Sequence, residues 1–311
     1  MRILLFGLAL FLSTASKAQL VTGTISTGIE LNTWTPLELD AVNIITKGYE
    51  VGYVELGLKF SKFPKFSIPK LRYESNFETD EQSDIIALHE EQLSVSKYEN
   101  FLGVFRYKKL IAKYSYETYI SSVVARNNFN YVSREGVVVP VALGQNAGFT
   151  TEFETIFLGT DIRSFSAGLF YSTYKKPYFL TDNAFQDRST MYHAEFTSYG
   201  IDAFRVFPSV WGKPIETELG LKLGVGDVDL GAAGSFSEIL PSTDSVGFFE
   251  LFMAAHWTKT ISERSAFKFG VESRGRNFIK ISSSSQNSSN ENRGFNSDIT
   301  AKAIMSYEYN F

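Results

Sequence analysis

The stretch Asp298-Ile299-Thr300-Ala301-Lys302-Ala303-Ile304-Met305-Ser306-Tyr307-Glu308-Tyr309-Asn310-Phe311 decides how the rest of the chain is read. Ile299, Ala301, Ala303, Met305, Tyr307, Tyr309 and Phe311 share one face of an extended strand. Asp298, Thr300, Lys302, Ser306, Glu308 and Asn310 share the other, with Ile304 the single exception. Side chains of a strand alternate sides, so a period of two sets one face against an apolar phase and the other against a polar one. The pattern recurs upstream. Ile215, Thr217, Leu219, Leu221, Leu223 and Val225 alternate with Glu216, Glu218, Gly220, Lys222 and Gly224. Segments 111–123, 149–158, 163–174, 246–258 and 265–278 repeat it, and 20–31, 48–60, 65–76, 93–106 and 191–207 carry it less regularly. The total is about twelve strands, within a range of ten to fourteen.

An aromatic last strand ending on Phe resembles the C-terminal strand of Gram-negative outer-membrane β-barrels, a porin-like class. The resemblance implies an all-β, transmembrane, antiparallel up-and-down barrel with both termini in the periplasm. It also implies that Tyr307, Tyr309 and Phe311 form the signal read by the barrel-assembly machinery. The other end of the chain agrees with export. Met1-Arg2 precedes an apolar run from Ile3 to Leu12, and Ser16-Lys17-Ala18 supplies small residues for cleavage after Ala18. Residues 1–18 therefore read as a cleaved signal peptide, too short for a membrane-spanning helix, and 19–311 as a single barrel domain of the Gram-negative outer membrane.

Composition narrows the function classes. There is no cysteine, so neither a lipid-anchor cysteine nor a disulfide framework is available. Taking Arg2 and Lys17 from the 30 basic residues leaves 28 against 34 acidic ones, a net charge of −6 that points away from nucleic acid. Aromatic residues make up 15% of the chain, as expected where rings anchor at two headgroup layers. Tyr107, Phe207, Trp211, Trp257, Tyr307, Tyr309 and Phe311 read as the inner girdle, and Phe129, Tyr174, Tyr178, Tyr192, Phe248 and Phe278 as the outer one. Counting back from Phe311, long polar connections alternate with short ones without a break. Segments 279–297, 226–245, 175–190, 124–147, 77–92 and 32–47 are long; 259–264, 208–214, 159–161, 107–110 and 61–64 are short. That is the loop and turn asymmetry of an outer-membrane barrel.

If apolar positions face lipid, their polar neighbours line the lumen. The lining candidates are Glu152, Glu154, Lys113, Glu117, Glu216, Glu218, Lys222, Glu250, Lys268, Glu272, Asp298 and Lys302, with Glu30, Glu55, Glu74, Glu195, Glu308, Lys59, Arg72 and Arg274 beside them. Barrels of about eight strands are filled by their own side chains, and those of about sixteen or more hold an open channel. Twelve strands imply a narrow channel for ions or small polar solutes, with Glu152/Glu154 and Glu216/Glu218 as a cation-attracting lining. The alternative is a non-conducting structural or accessory subunit of an outer-membrane secretion, assembly or uptake complex. A more remote alternative is a lipid hydrolase, with His193, Glu195 and Ser189 as the nearest approach to a triad. His89 sits in an outer segment and His256 near the inner rim, and neither forms a recognised catalytic or metal motif. No catalytic residue, metal site or cofactor is expected. The expected partners are outer-membrane lipids and lipopolysaccharide, together with the assembly machinery; the acidic segment 77–92 reads first as a solvated face and second as a site for divalent cations that bridge lipopolysaccharide. The apolar run Val137-Val138-Val139-Pro140-Val141-Ala142-Leu143 either extends a strand, constricts the lumen or packs on a partner.

Overall fold

The structure is a computed structural model. It describes residues 21–38, 44–46, 48–60, 66–76, 83–85, 91–125, 128–132, 137–163, 165–181, 189–209, 215–229, 243–280 and 295–311. The signal segment, Trp211 and most of segments 77–92 and 281–294 lie outside the described residues.

Among the described residues sixteen strands follow one another: β1 (Val21–Glu38), β2 (Ile44–Thr46), β3 (Tyr49–Phe60), β4 (Phe66–Asn76), β5 (Ser83–Ile85), β6 (Glu91–Tyr107), β7 (Leu110–Ala125), β8 (Phe129–Val132), β9 (Val138–Val141), β10 (Asn146–Ile162), β11 (Phe165–Thr181), β12 (Ser189–Phe207), β13 (Ile215–Asp229), β14 (Thr243–Ser262), β15 (Ser265–Lys280) and β16 (Phe295–Asn310). Twelve of them form the wall, in the order β1-β3-β4-β6-β7-β10-β11-β12-β13-β14-β15-β16, each antiparallel to the next. The ring closes where β1 pairs with β16 from Thr24↔Asn310 to Glu38↔Asn296. Closure satisfies every ladder edge, the condition for a sheet to lie in lipid. Phe311 ends the seam: its amide donates to the Gly23 carbonyl at 2.9 Å, and the Gly23 amide donates to the Phe311 carbonyl at 3.2 Å.

The short connections join strand ends that lie where β1 begins and β16 stops. Two of them are tight turns in which Lys108 and Arg163 take φ of 55° and 57°, the left-handed conformation such turns demand. The long connections share the other end, where part of the segment expected to be loop is folded. β11 and β12 continue as a hairpin to Thr181↔Ser189, beyond the point at which β10 and β13 stop pairing with them. The Val138–Val141 run pairs with β8, and β8 adds in parallel to β12 at Thr190 and Met191. Val137, Val139 and Leu143 are exposed, so this run extends the sheet at the loop end and does not constrict the lumen.

The wall has an apolar outside and a polar inside. Ile29, Leu31, Leu158, Leu169, Ile201, Leu223, Met253, Val271 and Met305 are exposed to the surroundings, while Glu30, Glu74, Glu117, Glu250, Arg276 and Asp298 are buried inside. Ile304, the exception in the terminal strand, is buried among the lumen residues. Glycines of the wall leave room for inward aromatic rings, as Gly28 does for Tyr53 and Gly224 for Phe170. A Cβ at Gly224 would stand 2.8 Å from the Phe170 ring and 2.6 Å from the Tyr199 carbonyl oxygen, whereas one at Gly275 meets nothing within 4 Å. Gly224→Leu therefore overpacks the wall and is expected to lower unfolding stability by about 1–3 kcal/mol, against a change within about 0.5 kcal/mol for Gly275→Ala. Urea unfolding of the barrel in lipid vesicles, followed by tryptophan fluorescence, measures the contrast.

Candidate functional site

The candidate site is the lumen, and its centre is a charge cluster that crosses it. Arg276 on β15 faces its two neighbours directly, Glu250 on β14 and Asp298 on β16. Its Nε lies 3.0 Å from Glu250 Oε2 and its Nη1 3.6 Å from Asp298 Oδ2. The same guanidinium donates from Nη2 to Glu117 Oε2 at 2.6 Å, and Glu117 belongs to β7, six strands away on the opposite wall. Arg276 is 1% exposed and also stacks over the Phe153 ring at 3.7 Å. Tyr174 of β11 donates to Asp298 Oδ2 at 2.6 Å, a second connection between distant parts of the wall.

Two aromatic groups and a second ion cluster complete this layer. Phe153, Phe170, Tyr174, Phe196, Phe248 and Phe278, with Val228 and Val246, form a buried cluster inside the barrel. Phe278 stacks on Tyr174 at 5.5 Å, and Phe196 sits 4.5 Å from Phe278. On the other side Trp34 stacks on Tyr119 at 4.6 Å, and Tyr98 packs on Tyr119 at 5.0 Å. Below them Lys302 donates to Glu74 at 2.6 Å, Tyr98 donates to Glu74 at 2.9 Å, and Arg72 pairs with Glu30 and, at 2.6 Å, with Glu74. Side chains from opposite walls thus meet across the middle of the lumen.

Towards the chain ends the lumen widens into a vestibule of about 510 Å³. Glu216 and Glu218 on β13, Lys222 on β13, Lys268 and Glu272 on β15, and Lys113 on β7 line it, as the alternation predicts. Lys222 donates to Glu250 at 2.7 Å, Lys268 lies 3.7 Å from Glu308, and His256 Nε2 lies 3.3 Å from Glu272. Among the described residues, no group of three or more His, Asp or Glu is arranged to hold a metal ion.

Glu152 and Glu154 are placed otherwise. In β10 Thr151, Phe153, Thr155 and Phe157 are buried inside, while Ile156 and Leu158 are exposed outside. Glu152 and Glu154 share the outer face and do not line the lumen. Both faces of this strand mix polar and apolar residues, so alternation alone does not fix which faces lipid; Ile156 and Leu158 at membrane depth decide it. The outward carboxylates sit towards the loop end, where Glu152 is opposite Lys175. Glu195 is also outside, 3.4 Å from Lys175. The side chains of His193 and Ser189, and all of His89, lie outside the described residues. Tyr174, Phe248 and Phe278, expected in the outer girdle, are lumen residues instead, whereas Tyr171 of β11 and Tyr199 of β12 are exposed. Arg276, Lys70 and Asp202 were absent from the lining read from sequence, although the parity of β15, β4 and β12 points all three inward.

No protein-family model matches the chain. No curated protein matches it by sequence. Among solved structures it is similar to the outer-membrane protease OmpT of Escherichia coli, at 9% identity over 94% of this chain and 97% of that one, with a TM-score of 0.35. It is similar to a FadL homologue of Pseudomonas aeruginosa at 7% identity, covering 94% and 90% of the two chains, with a TM-score of 0.34. The toluene transporter TodX of Pseudomonas putida gives 9% identity, the same coverages and a TM-score of 0.31. These values leave activity to be argued from the lumen.

The natural chain has no cysteine, which makes single-cysteine labelling a clean test of the β10 register. Cysteine at 152 or 154 is expected to react with a maleimide in the folded barrel, and cysteine at 153 only after unfolding. Equal protection of all three positions would contradict the assignment.

Proposed function

We propose that the chain resides in the Gram-negative outer membrane as a barrel closed to free diffusion, serving as a structural or accessory subunit of an outer-membrane secretion, assembly or uptake complex. The observation that carries this reading is the Arg276–Glu117 bridge across the full width of the lumen, buried at both partners. An open channel needs a continuous water path, whereas this layer is held by charge-assisted hydrogen bonds and aromatic contacts from six strands. A twelve-stranded ring with an apolar outer face supports membrane residence. Export through a cleaved segment 1–18, recognition of Tyr307, Tyr309 and Phe311 by the barrel-assembly machinery, and contact with lipopolysaccharide belong to the same proposal.

The narrow-channel reading keeps one observation in its favour. The vestibule is lined by charges of both signs, with Glu216 exposed inside it, and leads up to the bridge. Such a channel would conduct only after the central layer rearranged. Planar-bilayer recording separates the two readings. Purified wild-type protein is expected to give no steps above leakage, and the Arg276→Ala/Glu117→Ala double variant to give stable ones. Regular wild-type conductance with a preference for cations would replace the closed-barrel reading with the channel.

A further inference from the structure

Most charges facing the vestibule are already paired within it. Lys70 lies 3.3 Å from Glu55, and Lys222, Lys268 and His256 each have the carboxylate described above. Lys113, Asp202, Glu216 and Glu218 differ: among the described residues no ion pair holds any of them. Lys113 reaches from β7 into the lumen, and its ammonium rests 3.0 Å above the Phe204 ring of β12, three strands along the wall, and 5.5 Å from the Phe157 ring. No carboxylate of the described residues comes within ion-pair distance of it. Glu218, directly opposite Val206 in the β12–β13 register, lines the same cavity as Lys113 and pairs with no base among the described residues. Around the two groups runs an apolar wall of Leu102, Val104, Val206 and Phe252, with Val206 45% exposed to the vestibule.

An unpaired cation and unpaired carboxylates lining one cavity beside apolar side chains define a chemical complement. A simple anion would gain from Lys113 but meet Asp202, Glu216 and Glu218. A simple cation would gain from those carboxylates but meet Lys113. Only a molecule with both charges close together gains from both, and the apolar wall asks for a hydrocarbon group beside them. A cavity of about 510 Å³ falls within the usual range for small-ligand sites, about 300–1,000 Å³. We propose that the vestibule binds a small zwitterion with an apolar side chain, an α-amino acid or short peptide, with its carboxylate on Lys113, its ammonium on Glu218 and its side chain against Val206 and Phe252. This site lies on the chain-end side of the Arg276 layer, so it stands whether or not the barrel conducts; binding and conductance are read separately.

The test is calorimetric titration of the detergent-solubilised full barrel with three probes of one shape: L-leucine, 3-methylbutylamine, which lacks the carboxylate, and 4-methylpentanoate, which lacks the ammonium. L-Leucine is expected to bind at least about tenfold more tightly than either, since each truncated probe loses one charge-assisted contact. Lys113→Met and Glu218→Gln should each weaken L-leucine by about tenfold, while Lys97→Gln on the outer face leaves it unchanged. Absence of heat with L-leucine, equal affinity for a truncated probe, or wild-type affinity in both vestibule variants would overturn the assignment. The three-probe comparison needs no variant, so it holds even if a substituted barrel fails to fold.

Discussion

A guanidinium buried near the axis of a membrane barrel is tolerable only if carboxylates surround it, and much of this interior follows from that requirement. Arg276 is 1% exposed and is met by Glu250 and Asp298 from its neighbouring strands and by Glu117 from the opposite wall. Desolvating these charges is expensive, and excellent geometry has to offset it. The lateral contacts come cheaply, because Glu250, Arg276 and Asp298 occupy one row of the ladder. The contact with Glu117 does not: it fixes the distance between β15 and β7 and therefore the cross-section of the barrel at that height.

Around this tie the lumen divides by depth. Nearer the long loops it is filled with rings, packed as in a soluble core and lying on glycine-lined wall. Nearer the chain ends it is a charged vestibule in which ion pairs alternate with a stripe of apolar side chains. The filled part works against open diffusion and the vestibule invites a ligand. A barrel of this size could have been empty; its contents, more than its strand number, determine what it can do.

The wall was legible in the sequence because lipid imposes a uniform demand. The terminal strand and Ile215–Val225 keep one face apolar along their length, and both are oriented as their alternation indicates. Twelve strands and the loop and turn asymmetry followed from repeating that reading. It broke down where the demand weakens. In β10 each face carries both polar and apolar residues, so Glu152 and Glu154 were turned inward when Ile156 and Leu158 require the reverse. Tyr174, Phe248 and Phe278 looked like interfacial anchors by position, but their parity opposes that of Tyr171, Phe249 and Phe267 and puts them inside. Arg276 has the parity of Arg274 and could have been found the same way. The meeting of Arg276 with Glu117 could not, because nothing local relates residues 159 positions apart.

The claim on which the rest turns is that Arg276 and Glu117 bind one another across the lumen, and a double-mutant cycle tests it most directly. Unfolding free energies in lipid vesicles would be compared for the wild type, Arg276→Met, Glu117→Gln and the double variant. Breaking a buried pair from one side costs about 3–5 kcal/mol, and residues in direct contact couple by about 0.5–3 kcal/mol. The structure predicts a coupling energy of at least about 2 kcal/mol, in the upper half of that range. Additive effects within about 0.3–0.5 kcal/mol, as for sites that do not touch, would contradict it.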